Sequence, residues 1–214
     1  NGSEGSLPGG SQEHIAGRDS AGVSRTQRIV LVRHGQPHIA LSPTTGHRGF
    51  ADYIGAYEAA GLDPTSLPPR ELLELAQELG AVFASDRARS HQSARLLGPE
   101  KSLAIDPLFA EAPLASPPLP WLKLSVPFWA VISRLLWHFG FAPGIENVAA
   151  ARQRACKAAD ILIARAGEVG SVALVAHGYF NFMLGRELGR RGFVRQGSHR
   201  ARYWNTVIYE RTAG

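Results

Sequence analysis

Arg28-Ile-Val-Leu-Val-Arg-His-Gly35 is the stretch on which the reading of this chain turns. An apolar run of strand character stops, and a cation, an imidazole and a glycine follow at once. In an open α/β sheet, ligands bind beyond the carboxyl ends of the strands. An arginine beside a histidine at such a place suggests an anion site holding a nucleophile. The tripeptide alone is weak evidence, since it arises by chance. It gains weight from Val172-Ala-Leu-Val-Ala-His-Gly178, a second apolar strand that also ends in His-Gly.

Working outward, short apolar stretches alternate with helical ones. After the strand at 28–33 comes a polar loop from Gln36 to about Gly49. A helix is expected over 50–60, capped by Gly61, and another over 70–79, opened by Pro68-Pro69 and closed by Gly80. A strand is expected over 81–84. Ser85 reads as the N-cap of a helix running to about Leu97. A strand over 102–105 is followed by a proline-rich loop over 112–120. Helices over 126–139 and 145–166, a strand over 171–176, a helix over 178–188 and a last strand over 202–210 complete the pattern. Strands alternating with helices predict a three-layer α/β/α domain with a largely parallel central sheet.

The 214 residues, 44% of them hydrophobic, suffice for one core, expected over 27–214 with an apolar insertion at 112–141. Residues 1–26 are rich in Gly and Ser, lack an apolar block, and read as a disordered leader rather than a signal peptide. A cytoplasmic location is the default, and no transmembrane segment is expected. The formal charge of +5 suits an anionic substrate and does not by itself imply nucleic acid, for which no partner role is expected. The single cysteine, Cys156, cannot close an internal disulfide and reads as packing.

Four segment ends carry a coherent set of ionisable groups: Arg33 and His34, Arg89, Glu111, and His177. Phosphoryl transfer needs such a set. Cationic and N–H donors must surround the three equatorial oxygens, and arginine forks do so bidentately. Imidazole can attack phosphorus, and a carboxylic acid can protonate the leaving oxygen. Such a site needs neither metal nor cofactor, and no HExxH or CxxC cluster is present.

The chain resembles the histidine phosphatase superfamily, which includes the phosphoglycerate mutase-like enzymes. The resemblance rests on Leu31-Val-Arg-His-Gly-Gln36, Ala84-Ser-Asp-Arg-Ala-Arg-Ser-His-Gln-Ser-Ala94, Leu108-Phe-Ala-Glu111 and Leu174-Val-Ala-His-Gly178, in that order. It implies His34 as nucleophile, Arg33, Arg89 and His177 as phosphate ligands, and Glu111 as proton donor. The family pattern of Ser, three residues, Arg, three residues, Thr-Ala reads here as Ser85, Arg89 and Ser93-Ala94, with Ser in place of Thr. It selects Arg89 over Arg87, which lies roughly 200° away around a helix and is expected to be a solvated surface charge. Gln36 and Tyr179 flank the two histidines and are expected at the substrate rim.

The expected activity is that of a histidine acid phosphatase-type hydrolase. It would be a metal-independent phosphomonoesterase with a phosphohistidine intermediate, acting on a small, partly apolar phosphorylated substrate. The alternatives are a phosphoglycerate-type phosphomutase and a non-catalytic phospho-ligand binding or scaffold protein. Within 112–141 lie three of the four tryptophans, and Phe128, Ile132, Leu135 and Phe139 share one helical face. This insertion could pack on its own domain or form a homodimer through 121–141. It could also wall the substrate with Trp129 or touch a membrane surface.

Overall fold

The computed structural model describes residues 26–40, 44–98 and 102–212, together with Gly2. The leader expected over 1–26 lies outside the described residues, apart from Gly2 and Thr26. Six strands form one sheet: β1 (Thr26–Arg33), β2 (Ala81–Ala84), β3 (Leu103–Ile105), β4 (Ser171–Ala176), β5 (Val194–Gln196) and β6 (Thr206–Thr212). Their order is β3-β2-β4-β1-β6-β5. The first four run parallel, and β6 and β5 join antiparallel at one edge. Helices cover both faces, as expected for a three-layer α/β/α domain.

The register places the two histidine motifs side by side. Arg33 pairs with Ala176 at the ends of β1 and β4, so His34 and His177 leave the sheet together. All six residues of β4 are buried, which is why this strand reads as a continuous apolar run. Gly35 is required by close packing. A Cβ there would stand 2.6 Å from both the Leu62 side chain and the Trp204 indole.

The helices are α1 (His47–Ala59), α2 (Arg70–Gln77), α3 (Ala88–Arg95), α4 (Val126–His138), α5 (Val148–Val169) and α6 (Gly178–Arg190). Several ends differ from the sequence reading. α1 begins three residues earlier than expected and stops at Ala60, whose extended backbone breaks the helix before Gly61. α2 stops at Gln77, short of the expected 79. α3 starts at Ala88, with Arg87 rather than Ser85 at its N-cap; the Ser85 hydroxyl accepts from the Arg87 N–H at 3.2 Å and also meets His177. β6 starts at Thr206, because Trp204 takes a left-handed φ of 57° in the turn before it. The short edge strand β5 was not anticipated.

The insertion at 112–141 turns one side inward. Val126, Trp129, Ser133 and Trp137 are buried on α4, while Phe128, Val131, Leu135 and Phe139 face outward. Trp129 stacks on Phe50 of α1 with ring centroids 5.7 Å apart. Its indole N–H donates to the Thr45 carbonyl at 2.8 Å, and that of Trp137 donates to the Glu146 carbonyl at 2.8 Å. A fully buried indole needs such a partner. The reading of Trp129 as a substrate wall is therefore corrected, because its surface is consumed in packing α4 on α1. No helix among the described residues is long and apolar enough to cross a membrane.

Candidate active site

His34 is 1% exposed, and its hydrogen bonds fix the ring. Nδ1 lies 2.7 Å from the carbonyl of Gly35, which can only accept, so the proton sits on Nδ1. Nε2 is left with its lone pair. Toward that lone pair point Nε of Arg89 at 3.3 Å and the hydroxyl of Tyr57 at 3.4 Å. Burial above all, then the neighbouring Arg89, lowers the His34 pKa to about 3 despite the Gly35 carbonyl. A neutral ring with a free nitrogen is the form that can act as a nucleophile.

His177, also 1% exposed, sets its ring 5.1 Å from that of His34, centroid to centroid. Its Nε2 meets the Ser85 hydroxyl at 2.9 Å. Burial, and then the nearby His34 and arginines, hold its pKa well below the usual histidine value. Its Nδ1 is buried without a partner, as is Nε of Arg33. Arg33 donates from Nη1 to the Ala201 carbonyl at 2.6 Å. Its Nε lies against the start of α6, where a Cβ on Gly178 would be 3.5 Å away. Two buried, unpartnered nitrogens beside a histidine pair are costly in a folded protein unless a ligand completes them.

Arg89 is fully buried on the first turn of α3, and almost every N–H it offers is in use. Nη1 donates to the carbonyls of Tyr57 (2.6 Å) and Glu58 (3.3 Å), and Nη2 to the Glu58 carboxylate (3.3 Å). The guanidinium thus caps the C-terminal end of α1, where carbonyls and the helix dipole favour a cation. Arg87 is not a free surface charge. Its Nε lies 2.8 Å from the other oxygen of Glu58, so one carboxylate bridges both arginines.

Glu111 reaches this group through α6. Oε1 accepts from the N–H groups of Phe180 (2.8 Å) and Ala112 (2.9 Å), and Oε2 from Tyr179 (3.1 Å). The carboxylate therefore caps the helix that His177 opens. Arg154 fixes the approach, donating to the carbonyls of Leu108 (2.9 Å), Ala110 (2.6 Å) and Glu111 (3.4 Å) while paired with Glu146. Of the two residues expected at the rim, Gln36 leaves its side chain exposed, while Tyr179 is engaged with α4. The Gln36 side chain is exposed, and its backbone N–H donates to Ser66. Tyr179 turns toward α4, with its hydroxyl 2.5 Å from Nε2 of His138 and Arg134 over its ring.

The fold thus brings Arg33, His34, Arg89 and His177 into one cluster and ties Glu111 to the helix that follows His177. Tyr57, Glu58, Ser85, Arg154 and Tyr203 were missed by sequence reasoning. Ser85 stands within the quoted motif and reads there as a helix cap. The others lie in segments without a motif, and nothing in their spacing singles them out. Among the described residues, no group of three His, Cys, Asp or Glu side chains is placed to hold a metal ion.

No family model and no curated protein matches the chain. Solved structures do. A protein of Mycobacterium tuberculosis known as an open reading frame is 21% identical, with a TM-score of 0.54 over 85% of this chain and 90% of that one. A mycobacterial hydrolase is 23% identical, with a TM-score of 0.53 over 77% and 72%. A phosphoserine phosphatase from Entamoeba histolytica, solved with 3-phosphoglyceric acid, is 14% identical, with a TM-score of 0.53 over 85% and 89%. The chain shares the fold of these proteins.

Proposed function

We propose that this chain is a metal-independent phosphomonoesterase working through a phosphohistidine on His34. The observation that carries the reading is the pairing of a buried, neutral His34, its Nε2 unprotonated, with two buried nitrogens that lack partners, Nε of Arg33 and Nδ1 of His177. A phosphoryl group seated there meets the Arg33 and Arg89 guanidinia. The Nε2 of His177 is engaged with the Ser85 hydroxyl, and Nδ1, buried without a partner, is the ring nitrogen that would meet a phosphoryl oxygen, donating to it when it carries the proton.

In the first step the Nε2 lone pair attacks phosphorus. The P–O ester bond breaks, its electron pair leaves on the alcohol oxygen, and Glu111 in its acid form protonates that oxygen. In the second step a water oxygen attacks phosphorus and the P–N bond returns its electrons to Nε2. The proton of that water goes to Glu111. The likeness in fold to a phosphoserine phosphatase supports this class of reaction. The substrate is a small phosphorylated molecule.

The test is phosphate release from 4-nitrophenyl phosphate with and without excess EDTA. The proposal expects turnover unchanged by chelation and abolished in a folded His34→Gln variant. Turnover that survives in the variant, or that needs added Mg²⁺ or Zn²⁺, would refute it. The burial of His34 keeps a phosphomutase as the second reading, because a mutase must hold its phosphoenzyme away from water. Phosphoryl transfer to an added alcohol in preference to water separates the two.

A further inference from the structure

Three tyrosines from two distant parts of the chain cluster by His34, Tyr57 and Tyr203 directly and Tyr53 through Tyr57. Tyr53 and Tyr57 come from α1, and Tyr203 from the turn before β6. The Tyr57 and Tyr203 rings lie 6.3 and 5.9 Å from the His34 ring, and Tyr53 lies 5.8 Å from Tyr57, all between centroids. Arg33 sits over the Tyr203 ring at 4.8 Å and Arg89 over the Tyr57 ring at 4.3 Å. All three tyrosines are half-buried. Burial raises the phenol pKa of Tyr53, to about 12, and that of Tyr203, so these hydroxyls stay uncharged.

The placement of Tyr203 is rigid. Trp204 beside it is the one non-glycine residue with positive φ among the described residues. Its N–H donates to the carbonyl of Arg33 at 3.1 Å, and its indole N–H to the Ser66 hydroxyl at 3.0 Å. A tryptophan in that region persists only where its surroundings over-determine it, and such residues cluster at ligand sites. Here the strained turn holds the Tyr203 ring against Arg33 and His34.

We infer that the wall of Tyr53, Tyr57 and Tyr203 selects phosphate esters whose alcohol carries a planar aromatic ring. The inference rests on the phosphatase reading and adds the substrate class to it. The cations acting on Tyr53 and Tyr203 are Arg33 and Arg89, the same two that would hold the phosphate. With these neutralised, the wall offers ring faces and uncharged hydroxyls. Among the described residues, no other cation acts on the Tyr53 or Tyr203 phenols, so a second anionic group on the substrate would gain no charge partner from this wall. Ring faces pair with a planar π-system better than with a saturated ring of the same size.

The experiment compares kcat/KM for benzyl phosphate, cyclohexylmethyl phosphate and 3-phosphoglycerate. The first two share a ring size and a primary alcohol leaving group, so they differ chiefly in aromaticity. Wild type is expected to favour the benzyl ester over the cyclohexylmethyl ester by about fivefold, and over 3-phosphoglycerate by more. Tyr203→Leu should bring the first ratio near one, and Tyr203→Phe should preserve it. Tyr53→Leu carries the same test should Tyr203→Leu fail to fold. A wild-type ratio near one, a ratio unmoved by both leucine variants, or 3-phosphoglycerate as the best substrate would overturn the inference while leaving the phosphatase reading intact. No release from these esters or from 4-nitrophenyl phosphate would overturn that reading, and the inference with it.

Discussion

Glu58 holds one carboxylate oxygen 3.3 Å from Nη2 of the fully buried Arg89 and the other 2.8 Å from Nε of Arg87. Arg89 is thus already paired with an anion, and under the proposed function an entering phosphate would have to compete with it. Replacing Glu58 by Gln keeps an oxygen acceptor and removes the charge. Inorganic phosphate is expected to inhibit Glu58→Gln about tenfold more tightly than wild type, equivalent to about 1.4 kcal/mol. Weaker inhibition in the variant would mean that Glu58 serves to position Arg89 rather than to compete for it.

The two arginines should separate in kinetics. Arg89 donates toward the His34 nitrogen and lies wholly inside, while Arg87 is 40% exposed along its side chain. Loss of one charge-assisted contact to the transition state is worth about 3 kcal/mol, or roughly a hundredfold in rate. Arg89→Ala should lose at least that in kcat, and Arg87→Ala far less. Equal and small effects would remove Arg89 from the phosphate site. Arg89→Ala also uncovers the end of α1, so its melting temperature should fall as well.

Acid should weaken the fold through its buried histidines. Folded His34 stays neutral down to about pH 3, whereas an unfolded imidazole takes a proton near its ordinary value of 6.5. Between those limits the unfolded chain binds more protons, so stability is full above pH 6.5 and falls as the pH drops below it. His177 acts in the same direction. One such group costs up to about 1.4 kcal/mol per pH unit, or about 2 kcal/mol by pH 5. Urea unfolding at pH 7.5 and pH 5 should show a smaller loss in His34→Gln than in wild type. An equal loss would contradict the buried neutral state.

Trp129 should matter for the fold and little for substrate choice. It is fully buried against Phe50, and truncating such a side chain costs about 3 to 5 kcal/mol. Trp129→Ala is expected to lower the unfolding midpoint sharply, while the folded fraction keeps the wild-type order of preference among alkyl phosphates of rising length. A stable variant with altered chain-length preference would restore Trp129 to the substrate wall.

Much of this was legible in the sequence because it is carried by local signals. β2 and β4 fall at the residues expected, since a short apolar run bounded by Gly, Ser or His has few other readings. The four clustered residues Arg33, His34, Arg89 and His177 stand at strand and helix ends, which a parallel sheet gathers at one edge. What stayed hidden depends on tertiary contact. Tyr57 and Glu58 enter the site only because α1 packs through Phe50 on Trp129, a contact between residues far apart in the chain. Ser85 looked like a helix cap because its hydroxyl was free to be one. In the fold that hydroxyl meets His177 and accepts from the Arg87 N–H, and α3 starts only at Ala88. Tyr203 depends on the positive φ of Trp204, which no propensity for tryptophan foretells.

Trapping the phosphoenzyme tests the central claim most directly. The protein is mixed briefly with substrate, quenched in alkaline denaturant because a P–N bond is labile in acid, and digested for mass spectrometry. One phosphoryl group is expected on the peptide bearing His34, absent from His34→Gln and absent when substrate is omitted. A phosphoryl group on any other residue, or full turnover by wild type with no phosphorylated His34 at any quench time, would contradict the account.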